Sequence, residues 1–171
     1  ALARQCGLPL SIHLRDAYKS INEAFVHAGV ANSARVNIHL LDSQSLEGDH
    51  TGDPLRDMDG LLVAPGFGER GIEGKIEAVR RAREGKIPFL GICLGMQCAV
   101  VEFARNVLGL TDAHSTEMNA ATPYPVIDMM EEQKTIMEKG GTMRLGIYLC
   151  RIKEGTKSSE IYPENEVNER H

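Results

Sequence analysis

One cysteine of this sequence stands where a nucleophile is expected, in the run Gly91-Ile92-Cys93-Leu94-Gly95-Met96-Gln97. Residues 87–92 form a short apolar segment that predicts a buried strand. Apolar residues then recur at helical spacing as far as Gly109: Met96, Val100, Phe103, Val107 and Leu108. A side chain at the joint of a strand and a helix stands clear of both, and small neighbours permit the unusual backbone conformation of such a turn. The pattern therefore predicts that Cys93 is a nucleophile.

The start of a helix also favours this chemistry. Backbone N–H groups of the first turn and the positive end of the helix dipole stabilise an anion, whether a thiolate or the oxyanion that forms when it attacks a carbonyl. The alternative role for Cys93 is that of a small buried core residue, the commonest one for a free cysteine. The flanking glycines disfavour that alternative. For Cys6, Cys98 and Cys150 burial in the core is the expected role.

Composition limits the classes of function. The chain has 171 residues, with 19 basic and 24 acidic side chains and a formal net charge of -5, which argues against nucleic acid or an anionic membrane as partner. We expect no membrane-spanning segment and no signal peptide, and hence a cytoplasmic protein. The four cysteines are too scattered for a disulfide scaffold, and no Cys-x-x-Cys pair indicates a metal site.

Helix and strand patterns alternate through the first two thirds of the chain. A helix is expected from Asp16, as its N-cap, to Gly29, with Ile21 and Phe25 on its apolar face. The expected elements that follow are strands at 36–41 and 61–64, a helix at 72–84 and the strand that leads to Cys93. This order predicts an α/β fold: an open, mostly parallel, flavodoxin-like sheet between two layers of helices.

The remaining segments are less regular. Residues 46–59 and 111–125 are polar and predict loops, the first of them flexible, and residues 126–129 predict a short strand. Residues 142–149 alternate polar and apolar side chains, as an antiparallel strand at the edge of the sheet would. Pro9 is unfavourable in a central strand, so residues 1–8 are interpreted as a remnant of an upstream domain or linker.

The run from Gly91 to Gln97, called the elbow below, resembles that of class I glutamine amidotransferases. The glutaminase domains of these enzymes hydrolyse glutamine at a cysteine and pass on the ammonia. Four further blocks resemble those of the CTP synthases within this class: residues 16–20, 66–71, 114–118 and 140–146. The last block, Gly-Gly-Thr-Met-Arg-Leu-Gly, disfavours the amidotransferases that serve GMP, carbamoyl phosphate or imidazole-glycerol phosphate synthesis. By this resemblance residues 9–171 are a glutaminase domain whose C-terminal part is missing.

The resemblance implies a role for each matching residue. Cys93 attacks the side-chain amide of glutamine and forms a glutamyl thioester, while the backbone N–H groups of Gly66 and Leu94 form the oxyanion hole. The backbone of Leu94, Gly95 and Met96 and the side chain of Gln97 line the glutamine pocket. Glu117 pairs with the α-ammonium group of the substrate. Residues of the loop linked to activation by GTP are expected at three positions: Arg70, Gly71 and Glu73.

The resemblance also implies a larger enzyme. CTP synthases convert UTP to CTP with ATP and Mg²⁺ in an amidoligase domain of the same chain, are activated by GTP and are homotetramers. None of these cofactors is expected to bind within the glutaminase domain, whose own substrate is L-glutamine. This sequence has no Gly-Lys-Ser or Gly-Lys-Thr phosphate loop, so we expect that it cannot make CTP by itself.

One part of the catalytic set is missing from the sequence. The family takes its histidine base and orienting glutamate from a His-Pro-Glu motif, which does not occur here. Six histidines are present outside such a motif: His13, His27, His39, His50, His114 and His171. His114 is a weak candidate for a substitute base. We therefore expect negligible glutaminase activity from the 171 residues alone. The alternative that is not an enzyme is a catalytically dead, glutaminase-like module used for binding or assembly.

Overall fold

A computed structural model describes residues 4–11, 17–48, 52–66, 69–129 and 146–170, with only the backbone for residues 4–11, 17, 18 and 170. The chain divides into two compact units, Ala1–Met129 and Met130–His171. None of the helices in the described ranges is long and apolar enough to cross a membrane. The two units are described separately below.

The first unit contains a four-stranded parallel sheet of order β2-β1-β3-β4. Its strands are β1 Arg4–Ser11, β2 Ala34–Leu41, β3 Leu61–Val63 and β4 Phe89–Gly91. Its helices are α1 Ala17–Ala31, α2 Ile72–Glu84 and α3 Leu94–Asn106. The strand order reverses between β1 and β3, and the carboxyl ends of strands beside such a point are the usual location of a ligand site in open α/β sheets.

Strand β3 is buried on both faces. Leu61 and Val63 pack in the main core with residues of α2 and α3. Leu62 packs on the other face, against Ile21 and Phe25 of α1. Because successive side chains of a strand point to opposite faces, this alternation shows that helices cover the sheet on both sides. The predicted parallel α/β sheet between two helical layers is confirmed.

Helices α2 and α3 are joined by a buried ionic contact as well as by the core. Glu102 of α3 is 1% exposed, and its carboxylate accepts hydrogen bonds of 2.8 to 3.1 Å from the guanidinium of Arg83 on α2. Asn106 donates to the same carboxylate at 3.2 Å. A buried carboxylate without these donors would be strongly destabilising, so the contact fixes how the two helices lie against each other.

Helix α1 departs from its predicted end. It continues through Gly29 to Ala31, whereas we expected Gly29 to terminate it. A Cβ atom at Gly29 would lie 2.5 Å from the backbone oxygen of Ala34, so this glycine permits close packing of the helix on the start of β2. The expected N-cap, Asp16, lies outside the described residues. The predicted packing of Ile21 and Phe25 is confirmed.

Strand β1 includes Pro9, opposite His39 of β2. Strand β3 pairs with β1 only at Leu10 and Ser11, so Pro9 lies where β1 has one paired neighbour. Proline, which has no N–H group to donate, is tolerated at such a position, and the expectation that it is unfavourable in a central strand stays a prediction. Because β1 runs through residues 8 and 9, residues 4–8 belong to the same sheet as the residues that follow.

Two predicted loops contain more structure than expected. The segment at 46–59 begins in a 3-10 helix, Ser43–Leu46, and Leu55 within it is fully buried. Residues 111–125 contain β5 Ala113–Ser115 and the first residues of β6 Tyr124–Ile127, which pair in parallel. Strands this short leave too few residues for their alternation to stand out in a polar sequence.

The second unit contains an antiparallel pair, β7 Ile147–Arg151 and β8 Glu166–Arg170, with a short helix at Lys157–Ile161 between them. The antiparallel character predicted for 142–149 is confirmed, although residues 142–145 lie outside the described part. Cys150 is exposed, so its predicted burial was wrong. β7 pairs only with β8 among the described strands and is exposed along its whole length, because nothing described covers either face.

Candidate active site

Cys93 occupies a sharp turn between β4 and α3. Its backbone angles are φ 53° and ψ -107°, outside the regions that L-residues favour, and its thiol is exposed. The residue is the N-cap of α3: its carbonyl accepts the Gln97 N–H at 3.1 Å, and the Ile92 carbonyl accepts the Gly95 N–H at 3.0 Å. Strain of this kind costs about 1–3 kcal/mol and persists only where the surroundings enforce it.

Two glycines beside the turn enforce this conformation through close packing. A Cβ atom at Gly95 would lie 2.2 Å from the carbonyl oxygen of Val63 in β3, and one at Gly91 would lie 2.6 Å from the backbone carbon of Gly95. The Val63 oxygen also accepts a 3.0 Å hydrogen bond from the N–H of Ile92. The start of α3 is therefore held directly against the backbone of β3.

The structure places Gly66 and Leu94, the predicted oxyanion-hole residues, next to each other. Gly66 follows β3 and Leu94 is the first residue of α3, after β4. A Cβ atom at Gly66 would be 3.5 Å from Cδ2 of Leu94, an ordinary contact. Packing against the described residues therefore does not require glycine at position 66. The side chain of Leu94 is buried, while its N–H belongs to the first helical turn, which leaves donors without helical partners.

Gln97 and the turn that carries Glu117 lie on either side of a small apolar gap of about 10 Å³, which is too small to hold a substrate. Its walls come from α2, α3 and β5 with the following turn: Ile72, Ile76, Leu94, Gln97, Cys98, Val101, His114, Ser115 and Met118. Gln97 and Glu117 are both half-buried, and Met96 at the start of α3 is exposed. The residues predicted to bind glutamine thus lie on two neighbouring elements, and Cys93 is the N-cap of one of them, α3.

The turn of Glu117 is held by its predecessor Ser115. The buried Ser115 hydroxyl accepts the Glu117 N–H at 3.2 Å, and its carbonyl accepts the N–H groups of Met118 at 3.1 Å and Asn119 at 2.9 Å. The hydroxyl of Thr116 bonds to the carboxylate of Asp128. The backbone of the turn that carries Glu117 is therefore held by hydrogen bonds to Ser115 at the end of β5.

The predicted activation-loop residues have structural partners. Arg70 donates to Gln44 Oε1 at 2.7 Å, and Gly71 caps α2 with φ 71°, where a Cβ atom would lie 2.2 Å from Oγ of Ser43. The carboxylate of Glu73 instead contacts α3 and β5, at Arg105 and His114. The three positions therefore do not form one cluster: Arg70 and Gly71 contact the 3-10 helix, and Glu73 contacts other elements.

Sequence reasoning missed the partners of Glu73. Arg105 of α3 donates through Nη1 to Glu73 Oε2 at 2.7 Å and through Nε to the Ala113 carbonyl at 2.7 Å. Nε2 of His114 lies 3.6 Å from Glu73 Oε1, and Nδ1 accepts the N–H of Ser115 at 2.9 Å. Both ring nitrogens face other groups, which argues against His114 as the base for Cys93. Glu73 and Arg105 are 32 residues apart in the sequence, so no local pattern indicates that they interact.

The thiol of Cys93 has no hydrogen bond to any residue that the structure describes. The three described histidines are His27 on α1, His39 on β2 and His114. The described residues also contain no group of three or more side chains suited to holding a metal ion. Within the described ranges the site thus supplies a nucleophile and the N–H groups of a helix start, but no base.

Cys98, one turn after the elbow, lies in a different environment. It is buried, as predicted, and burial raises the pKa of its thiol to about 11. Lys75 of α2 is only 4% exposed, and burial lowers the pKa of its ammonium group. Cys98 is therefore protonated at neutral pH and lacks the solvent access of Cys93.

Comparison with known proteins agrees with this geometry. The chain is 58% identical over 160 residues to the CTP synthase of Flavobacterium johnsoniae and 60% identical over 160 residues to that of Cytophaga hutchinsonii, covering 94% of this chain and 30% of each relative. The chain thus spans about a third of the length of these relatives.

A solved structure, the Trypanosoma brucei CTPS glutaminase domain with bound acivicin, superposes with a TM-score of 0.76 at 33% identity. It covers 99% of this chain, which corresponds to 66% of that chain. The profile of the family described as glutamine amidotransferase class-I matches residues 13–170. This chain belongs to the class-I glutamine amidotransferase family.

Proposed function

We propose that this chain is the glutaminase domain of a CTP synthase, in which Cys93 hydrolyses L-glutamine to supply ammonia. The observation that carries the proposal is the exposed thiol at φ 53° on the strand-to-helix turn, in a chain that aligns with CTP synthases over 94% of its length. An exposed cysteine in a strained conformation has no packing role that would explain the strain.

The reaction begins with attack of the Cys93 sulfur on the side-chain amide carbon of glutamine. The general base takes the thiol proton as a C–S bond forms, and the negative charge that develops on the amide oxygen is stabilised by the N–H groups of Gly66 and Leu94. The C–N bond then breaks as the protonated base gives that proton to the nitrogen, which leaves as ammonia. Water hydrolyses the resulting thioester and releases glutamate.

Glutamine is held beside the turn that carries Cys93. Gln97 and the backbone of Leu94, Gly95 and Met96 contact its side chain, and the carboxylate of Glu117 pairs with its α-ammonium group. The support for this assignment is that Leu94 and Gln97 of α3 are neighbours of Ser115 and Met118, the residues on either side of Glu117. Arg70, Gly71 and Glu73 are proposed, on the family resemblance alone, to respond to GTP.

The base and its orienting acid come from a segment that these 171 residues do not contain. Large apolar side chains are exposed on β4, in the turn that follows it, and in one stripe along α3 and its C-cap: Leu90, Ile92, Met96, Val100, Phe103 and Val107. Their spacing on α3, at i, i+4, i+7 and i+11, matches a face that packs against another element. We infer that the part of a glutaminase domain beyond this chain covers this face and brings the His-Pro-Glu motif to Cys93.

The other properties of the whole enzyme follow from the same proposal. An amidoligase domain of the same protein binds UTP, ATP and Mg²⁺ and consumes the ammonia, GTP acts as activator, and the enzyme is a cytoplasmic homotetramer. The CTP synthases of Flavobacterium johnsoniae and Cytophaga hutchinsonii extend well beyond the matched segment, which leaves room for such a domain.

The test uses a chimaera in which this chain replaces the matching 160 residues of the Flavobacterium johnsoniae CTP synthase. The chimaera is treated with 6-diazo-5-oxo-L-norleucine, a diazoketone analogue of glutamine, and its cysteines are mapped by mass spectrometry. We expect rapid modification at Cys93 that excess glutamine suppresses. Cys150 is the matched control because its thiol is also exposed, and iodoacetamide should modify both cysteines.

Kinetics of two variants complete the test. Cys93→Ser should abolish glutamine-dependent CTP formation but leave synthesis from free ammonia, whereas Cys150→Ser should leave both. Equal modification of Cys93 and Cys150 by the diazoketone would contradict the proposal. So would an unmodified Cys93 in a chimaera that still makes CTP from ammonia, the result expected of a catalytically dead binding module.

A further inference from the structure

The turn that presents Glu117 is connected to two helices through His114 and Ser115. These residues form the end of β5, where the pairing with β6 becomes irregular between His114 and Ser115. Ser115 is buried, and its hydroxyl and carbonyl accept three N–H groups of the turn. A shift of the Ser115 peptide would therefore move the backbone of the turn that carries Glu117.

The imidazole of His114 holds this peptide from the other side. Its Nδ1 accepts the N–H of Ser115 at 2.9 Å, which requires that Nδ1 carry no proton. The proton of the neutral ring is then on Nε2, 3.6 Å from a carboxylate oxygen of Glu73. A doubly protonated ring cannot accept this hydrogen bond, because an N–H on Nδ1 would point at the N–H of Ser115.

The charged groups around His114 come from three elements. Arg105 of α3 opposes a positive charge on the ring, whereas Glu73 of α2 and Glu69 before α2 favour one. Cys98 lines the same small apolar gap as His114, and its thiol is uncharged at neutral pH because burial raises the pKa of that thiol. Burial of the ring, with Arg105 acting in the same direction, lowers the pKa of His114 below 6.5, so the neutral ring prevails near neutrality.

We propose that neutral His114 is a positioning residue for glutamine, which through the Ser115 N–H holds the Glu117 turn in its binding conformation, and that protonation of the ring releases that turn. The proposal rests on the proposed role of Glu117 as the ligand of the α-ammonium group. His114 itself touches neither glutamine nor the reacting atoms. Its protonation weakens substrate binding and leaves the chemical step at Cys93 unchanged.

Two substitutions separate the hydrogen bond from the titration. In His114→Asn an amide oxygen occupies the place of Nδ1, one bond from Cγ, so the variant keeps an acceptor for Ser115 but does not titrate. In His114→Leu the bulk remains and the acceptor is lost. Both are made in the chimaera, and KM for glutamine and kcat are measured from about pH 5.5 to about pH 8, with ammonia-dependent synthesis as the reference rate.

For the chimaera with His114 unchanged, the parent, we expect KM for glutamine to rise as the pH falls through the pKa of His114, which lies below 6.5. Its kcat, divided by the rate of ammonia-dependent synthesis, should stay unchanged. His114→Asn should keep the parental KM near pH 8 and show no such rise. His114→Leu should have a KM about fivefold higher at every pH, the effect of one lost hydrogen bond. A His114→Asn profile that rises like the parent's, or a His114→Leu KM equal to the parent's near pH 8, would overturn the proposal.

Hydrogen–deuterium exchange provides a readout that does not depend on activity. At about pH 5.5 the amides of residues 115–119 should exchange faster in the parent than in His114→Asn, and at about pH 8 the two should agree. Comparison at equal pH cancels the intrinsic rate for residues 116–119, whose neighbouring side chains are the same in both proteins. Equal exchange at the lower pH overturns the positioning role even if the glutaminase proposal stands. Failure of the glutaminase proposal is recognised separately, by a Cys93 that the glutamine analogue does not modify.

Discussion

Replacing Gly95 by alanine tests whether the backbone of β3 fixes the position of the nucleophile. The new Cβ atom would lie 2.2 Å from the carbonyl oxygen of Val63, so the start of α3 must move away by about 1 Å to restore an ordinary contact. The Val63 carbonyl cannot retreat freely, because it accepts the N–H of Ile92 at 3.0 Å. The displacement therefore falls on the turn that carries Cys93.

The expected magnitudes follow from this geometry. Overpacking costs about 1–3 kcal/mol and a lost hydrogen bond about 1 kcal/mol, while alanine gains about 1 kcal/mol over glycine within a helix. The net destabilisation should be about 1–3 kcal/mol. A reacting group misplaced by about 1 Å loses about 10²-fold in rate, so the loss of glutaminase activity should exceed what the loss of stability explains.

The assay compares glutamine-dependent with ammonia-dependent CTP formation in the chimaera and follows thermal unfolding of the same samples. Gly66→Ala serves as the stability control, since its Cβ atom would be 3.5 Å from Leu94 and should leave the unfolding temperature unchanged. A Gly95→Ala enzyme that keeps its glutamine-dependent rate within about threefold would refute the reasoning. It would show that the contact with Val63 does not set the position of the thiol.

Three further predictions concern α2 and α3. Gly71→Ala should lower the free energy of unfolding by about 2 kcal/mol, because it combines left-handed strain with a steric clash, and Gly48→Ala, strained but in open space, by about 1 kcal/mol. Arg105→Met removes a positive charge and should raise the pKa of His114, which moves the pH dependence of KM upward. Lys75→Met should stabilise the fold by about 1 kcal/mol at neutral pH. Burial lowers the pKa of this lysine below 10.5, so the gain should shrink as the pH rises through the folded-state pKa toward 10.5, as denaturant unfolding would show.

The elements that position the nucleophile could be predicted because local sequence determines them. The bounds of α2 agree with the prediction, and the elbow at Cys93 follows from an apolar run, two glycines and a helical pattern. Gly109, the expected end of the helical pattern, has a left-handed φ of 75°. In these segments the order of residue types along the chain is enough to place the strand, the turn and the helix.

The contacts between elements could not be predicted in the same way. Gly29 and Gly95 permit close contact with the backbones of Ala34 and Val63. A glycine can also form a turn or end a helix, and the sequence alone does not show which of these roles applies. The sequence indicates a solvated charge or a loop residue at Glu73. In the structure Glu73 contacts α3 through Arg105 and β5 through His114. Such partners are tens of residues apart, and only the topology of the sheet brings them together.

The hydrogen bond from Ile92 to Val63 continues the β3–β4 ladder one residue past the last strand position, up to the peptide before Cys93. The nucleophile is thus attached to the sheet itself and not to a flexible connection. Anyone who wished to transplant this thiol into a different scaffold would need both parallel strands and the first turn of α3 as one unit. The seven-residue signature alone would carry the letters of the motif without the frame that bends it.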